Sequence, residues 1–442
     1  MVRRSSRCFG KREGRERPGR RAHRRLRRNP RFTKGMAMIT TTALPQAAEI
    51  IARVVELQPW LRDQQAIAEQ QRRIPQETIE RLSEAGVFSL SKPKRYGGAD
   101  FTTREMLDIY RALGSGCGAT AWVVWATAGG NMWSNAFADE VVAPVYETPW
   151  VGNRTFAVGG TSRHMSGTAT KVDGGWMVKG AWPFATGSVH ASHGYLAVFY
   201  DDTDDSKVGM VLIPKEQLIA RNDWDAMGLA ATGSQTMATD GELFVPDERF
   251  GFPAELAART AELVSQGRGP RRGGLPRSIV SSTGVALGMA DQAMEVFLAS
   301  IGRRSVPYSP YTRQVDAPVA HHIIGRAAMQ IRAAGRLADA TVAEFDRLDA
   351  ENRDPNADEI LQFHTDAAYI WNECATAIET LLRASGASAI SKRMPLQLIA
   401  RNCRAGSLHA AHNVDTWLEN LGRSMVGVTA GPSSMSVLER RS

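Results

Sequence analysis

Side chains that could do chemistry stand in three short segments of this 442-residue chain. His409 and His412 lie three residues apart, so a helix would place both imidazoles on roughly one face, and imidazole donates or accepts a proton near neutral pH. The segment Trp182–Gly187 (WPFATG) sets an indole and the hydroxyl of Thr186 beside a glycine. The segment Met227–Gln235 (MGLAATGSQ) offers backbone N–H groups and hydroxyls that could hold the polar edge of a cofactor.

Two adjacent arginines, Arg303 and Arg304, close a long helical pattern. Arginine binds phosphate groups with two hydrogen bonds at once, but basic residues at the end of a helix also simply stabilise its dipole, and the sequence leaves both interpretations open. The basic, glycine-rich segment Gly267–Gly274 (GRGPRRGG) lacks the Lys-Ser/Thr ending of a P-loop. No G-x-G-x-x-G motif opens a βα unit, so the chain itself is not expected to bind NAD(P)H.

Composition excludes several classes of protein. Residues 1–35 contain 15 Lys and Arg against two Glu, so they account for more than the whole net charge of +8. We expect this basic extension to be disordered. Translation that starts at Met36 or Met38 is favoured over a nucleic-acid arm or a transit peptide, because no nucleic-acid module follows.

No uncharged apolar run reaches the roughly 20 residues of a membrane span. The four cysteines form no C-x-x-C pair, which predicts neither a metal site nor a disulfide and favours a cytoplasmic location.

The spacing of apolar residues changes twice along the chain and divides it into three structured regions. Residues 44–150 follow a helical period, with Thr102 and Glu105 as a capping-box pair. Residues 151–255 alternate with period two around a tight turn at Asp173-Gly174-Gly175. Residues 275–430 carry long apolar stripes typical of a helical bundle.

Five segments, spread over roughly residues 45–430, together resemble the group D two-component flavin-dependent monooxygenases of the acyl-CoA dehydrogenase superfamily. They are Arg73–Pro75 with Ala85–Gly98, Gly116–Trp122, Gly174–Gly187, Met227–Arg249 and Met394–His412. The resemblance implies the α+β, multi-domain acyl-CoA dehydrogenase fold. That fold has an N-terminal helical domain, a middle antiparallel β domain and a C-terminal four-helix bundle.

The same resemblance implies the cofactor and the partners. A separate NAD(P)H:flavin reductase would supply reduced flavin, FMNH2 or FADH2, and O2 would add at flavin C4a to give a hydroperoxide. One oxygen atom would then pass to a small substrate; hydroxylation of an aromatic ring is favoured, and oxidation of nitrogen or sulfur is left open. A homotetramer in the cytoplasm is expected, without nucleic acid or membrane as partner.

Flavin contacts are also implied by the resemblance. Trp182 and Phe184 would pack on the flavin ring, and Trp122 would line its other side. Thr186 stands where the family has a serine that bonds near flavin N5, so it keeps the hydroxyl and adds a methyl group. The remaining expected contacts are Thr232 and Ser234 at the polar edge and Arg303 and Arg304 at the phosphate, commonly that of a neighbouring subunit.

Within the superfamily, the group D monooxygenases are identified by a histidine. The group's pattern Arg-Asp-x-x-x-x-x-x-His matches the interval from Arg404 to His412, with Ala405 in the place of the aspartate. This match predicts His412 as the catalytic residue that faces flavin and substrate, with His409 in reserve. Asn131 stands where relatives often have a histidine and is expected to contact the substrate.

An acyl-CoA dehydrogenase is the first alternative. That enzyme needs a carboxylate to remove the α-proton of its thioester, but His409–Asn413 contains none and Leu263–Ala290 contains neither Asp nor Glu. A histidine donor suits oxygen transfer instead, which favours the oxygenase. A flavin-binding protein of the same fold without enzymatic activity is the second alternative, left open at this point.

Overall fold

The computed structural model describes residues 45–90, 92–148, 150–159 and 163–428, all within one compact unit. The basic extension predicted for residues 1–35 lies outside the described residues. None of the described helices is both long and apolar enough to cross a bilayer. The first five helices are α1 (Pro45–Gln71), α2 (Gln76–Glu84), α3 (Thr103–Gly116), α4 (Gly118–Ser134) and α5 (Asp139–Glu147).

The predicted capping box starts α3. The backbone N–H of Glu105 donates to Thr102 Oγ1 at 3.2 Å, and the backbone N–H of Thr102 donates to Glu105 Oε2 at 2.8 Å. Two N–H groups that the first turn leaves without helical partners are thereby satisfied. Cys117, with an extended φ of −154°, separates α3 from α4, so the axis of α4 has a new direction. Most side chains of α4 are buried, so it is a central helix of the molecule.

Nine strands form one sheet in the described part of the chain. They are β1 (Thr155–Val158), β2 (Gly167–Val172), β3 (Gly175–Trp182), β4 (His193–Phe199), β5 (Val208–Pro214), β6 (Ile219–Ala220), β7 (Met237–Ala238), β8 (Leu243–Pro246) and β9 (Phe250–Gly251). The order is β6-β7-β3-β2-β4-β5-β9, with β1 paired to β4 and β8 to β3. Most pairings are antiparallel as predicted, but β1 and β2 each run parallel to β4. The predicted turn joins β2 to β3, with Gly174 at φ +70°.

Six helices follow the sheet. They are α6 (Pro253–Ser265), α7 (Gly274–Ser300), α8 (Pro318–Glu351), α9 (Ala357–Ala384), α10 (Pro395–Ser407) and α11 (Val414–Met425). Helix α9 contacts α7, α8 and α10, and α7 contacts α8 and α10, which is the packing of a bundle. The order of helices, sheet and helices is that of the acyl-CoA dehydrogenase fold.

The helices before and after the sheet share one hydrophobic core. A single cluster of buried side chains includes members of α1, α3 and α4 together with members of α7, α8, α9 and α10. Helices α3 and α7 approach closely because glycines face the opposing backbone. A Cβ at Gly114 would lie 2.7 Å from the carbonyl oxygen of Val285, and one at Gly284 would lie 2.1 Å from that of Leu107. The inner face of the sheet forms a cluster of its own.

Candidate active site

Three tryptophans and the two candidate histidines meet between α4, α9 and the segment after α10. We call Trp122, Trp125, Trp371, His409 and His412 the Trp–His cluster. Ring centroids within it lie between 4.7 and 5.9 Å apart. Gly406 makes this packing possible, because a Cβ there would lie 2.5 Å from the Trp371 ring and 3.1 Å from the Trp122 ring.

His412 is wholly enclosed by protein. Its Nε2 lies 2.9 Å from Ser282 Oγ and its Nδ1 lies 3.1 Å from the Gly406 carbonyl oxygen, and its ring stacks on Trp371 at 4.7 Å. The Gly406 carbonyl oxygen can only accept, so Nδ1 carries the proton and Nε2 is an acceptor beside the Ser282 hydroxyl, which also lies 2.6 Å from the Ile279 carbonyl oxygen. Burial lowers the pKa of His412 well below its usual range, so the ring is neutral. With 0% exposure and both nitrogens engaged, His412 does not present a polar atom to a ligand as predicted.

His409 has the opposite arrangement. Its Nδ1 accepts the backbone N–H of Ala411 at 3.2 Å, so the proton of the neutral ring is on Nε2. Among the described residues Nε2 has no hydrogen-bond partner. Burial lowers the pKa of His409 to about 4, yet the side chain keeps accessible surface. The ring packs edge-on against Trp122 and Trp125.

Two arginines precede the two histidines by the same interval of eight positions, Arg401 before His409 and Arg404 before His412. The contacts of Arg401 and its neighbour distinguish the two intervals. Arg401 forms an ion pair with Glu69 and donates to the Met227 carbonyl oxygen. Asn402 follows Arg401 and accepts the backbone N–H of Leu229 at 2.8 Å. Arg404, by contrast, is exposed. The sequence contains the same interval twice, and the signal that separates the two is the amide of Asn402, which keeps the acceptor oxygen of an aspartate where Ala405 does not.

A chain of three hydroxyls runs inward from Thr186. Its Oγ1 lies 2.7 Å from Ser234 Oγ, which lies 2.6 Å from Thr232 Oγ1, and Thr232 donates to the Leu229 carbonyl oxygen at 2.8 Å. Because Thr232 donates its only hydroxyl proton to that carbonyl oxygen, it accepts from Ser234, and Ser234 in turn accepts from Thr186. Half-buried Thr186 is thereby left with free lone pairs on its outer side. Thr186 was predicted near flavin N5, and Thr232 and Ser234 at the polar edge of the cofactor; the three hydroxyls lie in direct contact.

The two aromatic residues of the WPFATG segment lie in different environments. Trp182 has 0% exposure and donates its indole N–H to the Ala197 carbonyl oxygen at 2.7 Å inside the core of the sheet. The prediction that it packs on a cofactor ring is therefore wrong. Phe184 is 59% exposed at φ +59°, with its ring edge-on to Trp224 at 5.9 Å. A non-glycine residue at positive φ stores backbone strain and is a frequent feature of ligand-binding turns.

Helix α4 connects this turn to the Trp–His cluster. A Cβ at Gly187 would lie 2.6 Å from Thr127 Cγ2 and 3.2 Å from Val123 Cγ1, so the turn packs directly on α4. Trp122 precedes Val123 on the same helix. Helix α4 therefore contacts the turn through Val123 and Thr127 and belongs to the Trp–His cluster through Trp122 and Trp125. The exposed ring of Phe184, the accepting oxygen of Thr186 and the Nε2–H of His409 are groups that suit an apolar ring with a polar N–H edge, such as a reduced flavin.

Three other predicted contacts lie elsewhere. Arg303 is exposed and bonds the Ala299 carbonyl oxygen, while Arg304 bonds that of Ser385; neither forms an ion pair or touches the Trp–His cluster among the described residues. The side-chain amide oxygen Oδ1 of buried Asn131 accepts from Thr155, from the backbone N–H at 2.9 Å and from the hydroxyl at 2.6 Å. These bonds tie α4 to β1 and turn that oxygen away from any ligand.

The described residues contain no group of histidines, cysteines and carboxylates that could hold a metal ion. The cysteines Cys117, Cys374 and Cys403 are buried and free.

Comparison with known proteins agrees with this architecture. The sequence model of the acyl-CoA dehydrogenase N-terminal domain matches residues 51–147, and that of the C-terminal domain matches residues 280–414. The "Flavin-dependent monooxygenase, oxygenase subunit HsaA" of Mycobacterium tuberculosis is 27% identical over 397 residues, which cover 89% of this chain and 99% of that protein. The protein of the same description from Rhodococcus jostii is 29% identical over 366 residues, 82% of this chain and 94% of the relative.

A solved structure extends the comparison to the fold. XiaF from a Streptomyces species, solved in complex with FADH2 and glycerol, has a TM-score of 0.79 and 27% identity, covering 88% of this chain and 97% of its own. The two matched domains span just over half of the chain, and the relatives align over nearly their whole length. The chain belongs to the acyl-CoA dehydrogenase superfamily and, within it, to the two-component flavin-dependent monooxygenases.

Proposed function

We propose that the protein is an oxygenase component that takes FMNH2 or FADH2 from a separate NAD(P)H:flavin reductase and uses O2 to hydroxylate a small aromatic substrate. The observation that carries the proposal is the position of His409. Its Nδ1 is fixed by the Ala411 N–H, its Nε2–H has no hydrogen-bond partner among the described residues, and its ring packs edge-on against Trp122 and Trp125. Such a donor can assist transfer of an oxygen atom, whereas an acyl-CoA dehydrogenase needs a carboxylate at this place.

The residues of this chain would perform distinct tasks. Phe184 offers the face on which a flavin ring would lie, and Thr186 would accept the N5–H of the reduced ring. When bound, the reduced flavin supplies the electrons that activate O2. His409 holds a proton at Nε2 and donates a hydrogen bond to oxygen, and it stays neutral at physiological pH because its pKa is lowered to about 4. Trp122 and Trp125 exclude water from the place where oxygen is transferred.

His412, in this proposal, positions the segment that carries His409. Its ring is held by Ser282, Gly406 and Trp371, so the backbone before and after it is fixed. The catalytic role therefore moves from His412 to His409. The clamp of Arg401 and Asn402 on the 227–229 loop holds the hydroxyl chain at the other side of the site.

We further propose a homotetramer in the cytoplasm. Arg303 is an exposed cation without an ion pair among the described residues, which suits a phosphate group brought by the flavin of a neighbouring subunit. Free buried cysteines favour a reducing compartment. Sedimentation equilibrium with and without flavin tests the oligomer, and a monomer at micromolar concentration in both states would contradict it.

The decisive experiment combines the purified protein with a generic flavin reductase, NADH and FMN or FAD under ¹⁸O2. A panel of phenols is screened for hydroxylated product by mass spectrometry. We expect one ¹⁸O atom in the product, dependent on this protein and on reduced flavin. Failure to incorporate oxygen into any substrate, with the reduced flavin bound, would favour the flavin-binding protein without enzymatic activity.

A further inference from the structure

His409 lies in a short segment between α10 and α11 that packs on α9. We call residues 408–413 the His409 segment. Within it the His412 ring stacks on Trp371 of α9 at 4.7 Å, with the ring planes 17° apart. Ala411 packs in a small apolar cluster with members of α7 and α9. The position of His409 therefore depends on how firmly this segment is held against α9.

A second ring stack lies just downstream of the His409 segment. Trp417, near the start of α11, stacks on His364 of α9 with the ring centroids 4.3 Å apart and the ring planes 10° apart. His364 precedes Trp371 by about two helical turns, so both rings lie on one face of α9. The two stacks are reciprocal, because α9 supplies the tryptophan of one and the histidine of the other. Together they hold both the segment and the helix that follows it.

The His364–Trp417 stack buries polar groups that have no hydrogen bonds. His364 has 0% exposure and Trp417 has 5%. Among the described residues, neither ring nitrogen of His364 nor the indole N–H of Trp417 has a partner. Each buried polar group without a partner costs free energy, so a phenyl ring would pack here at lower cost. An imidazole in this position points to a role beyond packing.

A proton on His364 would have no counter-charge. Burial lowers the pKa of His364 to about 4, and the titratable group that interacts with it is a second histidine, His412. The charged side chains on the surrounding elements are exposed or already paired: Asp415 and Glu419 on α11 are exposed, Arg277 on α7 pairs with Asp349 of α8, Arg347 on α8 pairs with Glu344, and Asp366 on α9 accepts from Thr341 of α8. The protonated ring is therefore stabilised by states in which Trp417 has moved away and water reaches the imidazole.

We infer that His364 and Trp417 are positioning residues that hold the His409 segment on α9 while His364 is neutral, and that protonation of His364 releases the segment. Neither residue belongs to the Trp–His cluster, so both act through the backbone that carries His409. The effect on the segment rests on these contacts alone, whereas the effect on product formation rests on the proposed function.

Hydrogen exchange of the full-length protein tests the inference without flavin or turnover. Exchange of peptides that cover residues 408–420 is followed by mass spectrometry and divided by the intrinsic rate at each pH. Trp417→Ala removes the stack and should speed exchange of the His409 segment about tenfold at pH 7. Trp417→Phe keeps an aromatic ring and should restore most of the protection.

The pH profile separates positioning from packing. In the wild type, protection of the His409 segment should fall as pH decreases from about 6.5 to about 4, because His364 takes up a proton. His364→Phe keeps the stack without a titrating group, so most of this loss should disappear; any remainder belongs to His409 and His412. His364→Ala should already lack protection at pH 7. The same acid-induced loss in His364→Phe as in the wild type would overturn the inference.

Phe363→Ala is the matched control. Phe363 directly precedes His364 on α9 and stacks on Phe345 of α8 at 4.3 Å, so this variant loses a ring stack directed at a different helix. It should lower the free energy of unfolding and leave exchange of the His409 segment unchanged at pH 7. Exchange that rises as much in Phe363→Ala as in Trp417→Ala would show general destabilisation and contradict the positioning role.

Product-to-peroxide ratios of the same variants, measured with reductase and ¹⁸O2, separate this inference from the proposed function. We expect the ratio to fall about fivefold or more at pH 7 in Trp417→Ala and to stay near the wild-type value in Phe363→Ala. Release of the segment as expected, with no product from any variant or from the wild type, would contradict the oxygenase and leave the hold on the segment standing. Product formed with normal coupling in Trp417→Ala would overturn the positioning role.

Discussion

Replacing His409 with Ala removes the Nε2–H and leaves the other members of the Trp–His cluster in place. Hydrogen-bond or general-acid assistance of this kind is worth about 10²–10⁴ in rate, so substrate oxidation should fall by about that factor while hydrogen peroxide replaces product. The fold loses the bond from the Ala411 N–H, about 1 kcal/mol, and the ring contacts with Trp122 and Trp125. We therefore expect a folded, flavin-binding protein that consumes oxygen without product.

His412→Ala should behave differently. It removes a ring with 0% exposure, its stacking on Trp371, and the partners of Ser282 and Gly406. A cavity with unsatisfied polar groups costs about 3 kcal/mol in the free energy of unfolding. The product-to-peroxide ratio of whatever remains folded should fall less than in His409→Ala.

The assay measures product, hydrogen peroxide and denaturant unfolding for the same preparations. His322→Ala is the control, because His322 is exposed on α8, and it should match the wild type in all three. Normal coupling in His409→Ala would refute the role given to Nε2–H. Uncoupling in His412→Ala with an unchanged free energy of unfolding would return the catalytic role to His412.

Three further predictions follow from the same contacts. The chain alone should not oxidise NADH, measured at 340 nm, and rapid oxidation without added reductase would contradict the two-component assignment. Thr186→Val, which removes the accepting oxygen, should weaken binding of reduced flavin in an anaerobic titration, whereas Thr186→Ser should not; equal affinities would show that the hydroxyl chain does not reach the cofactor. Among the described residues neither ring nitrogen of buried His364 has a hydrogen-bond partner, and the ring stacks on Trp417 at 4.3 Å, so His364→Phe should raise the free energy of unfolding at pH 7 by about 1 kcal/mol. Burial lowers the pKa of His364 to about 4, so the wild type should lose up to about 3 kcal/mol as pH falls from about 6.5 to about 4, and this loss should be smaller in the variant; identical pH curves from urea unfolding would contradict it.

Local signals predicted the elements of the fold well. Thr102 and Glu105 form both bonds of the expected capping box, and the Asp173-Gly174 turn joins two strands in the expected register. These features depend on residues within a few positions of each other. The parallel pairing of β1 with β4 joins segments separated by an intervening hairpin, and no local pattern contains that information.

The candidate site was predicted only in part. Thr186, Thr232 and Ser234 were each singled out for their hydroxyls, in two separate segments, and the structure brings the three into contact. Trp182 was assigned to the ligand, although it follows Trp176 and Val178 on the same buried face of β3, a placement that the period of two already indicated. His409 and His412 share the interval to a preceding arginine, so spacing could not choose between them. The two histidines differ in burial, because His412 is enclosed by Trp371 and Ser282, which come from distant parts of the chain.

The glycine contacts between α3 and α7 have a consequence for biosynthesis. Gly114 and Gly284 are about 170 residues apart in the chain, so at 5–20 residues per second the ribosome needs roughly 10 to 30 seconds between them. During that interval the apolar faces of α1, α3 and α4 have no partner, because the core they complete includes α7 and α9. The nascent chain therefore exposes apolar helix surface, which is prone to aggregation, while the sheet is being synthesised. The yield of folded protein in a heterologous host should rise with chaperones that bind this intermediate. It should depend more on the rate of translation after the sheet than on the rate before it.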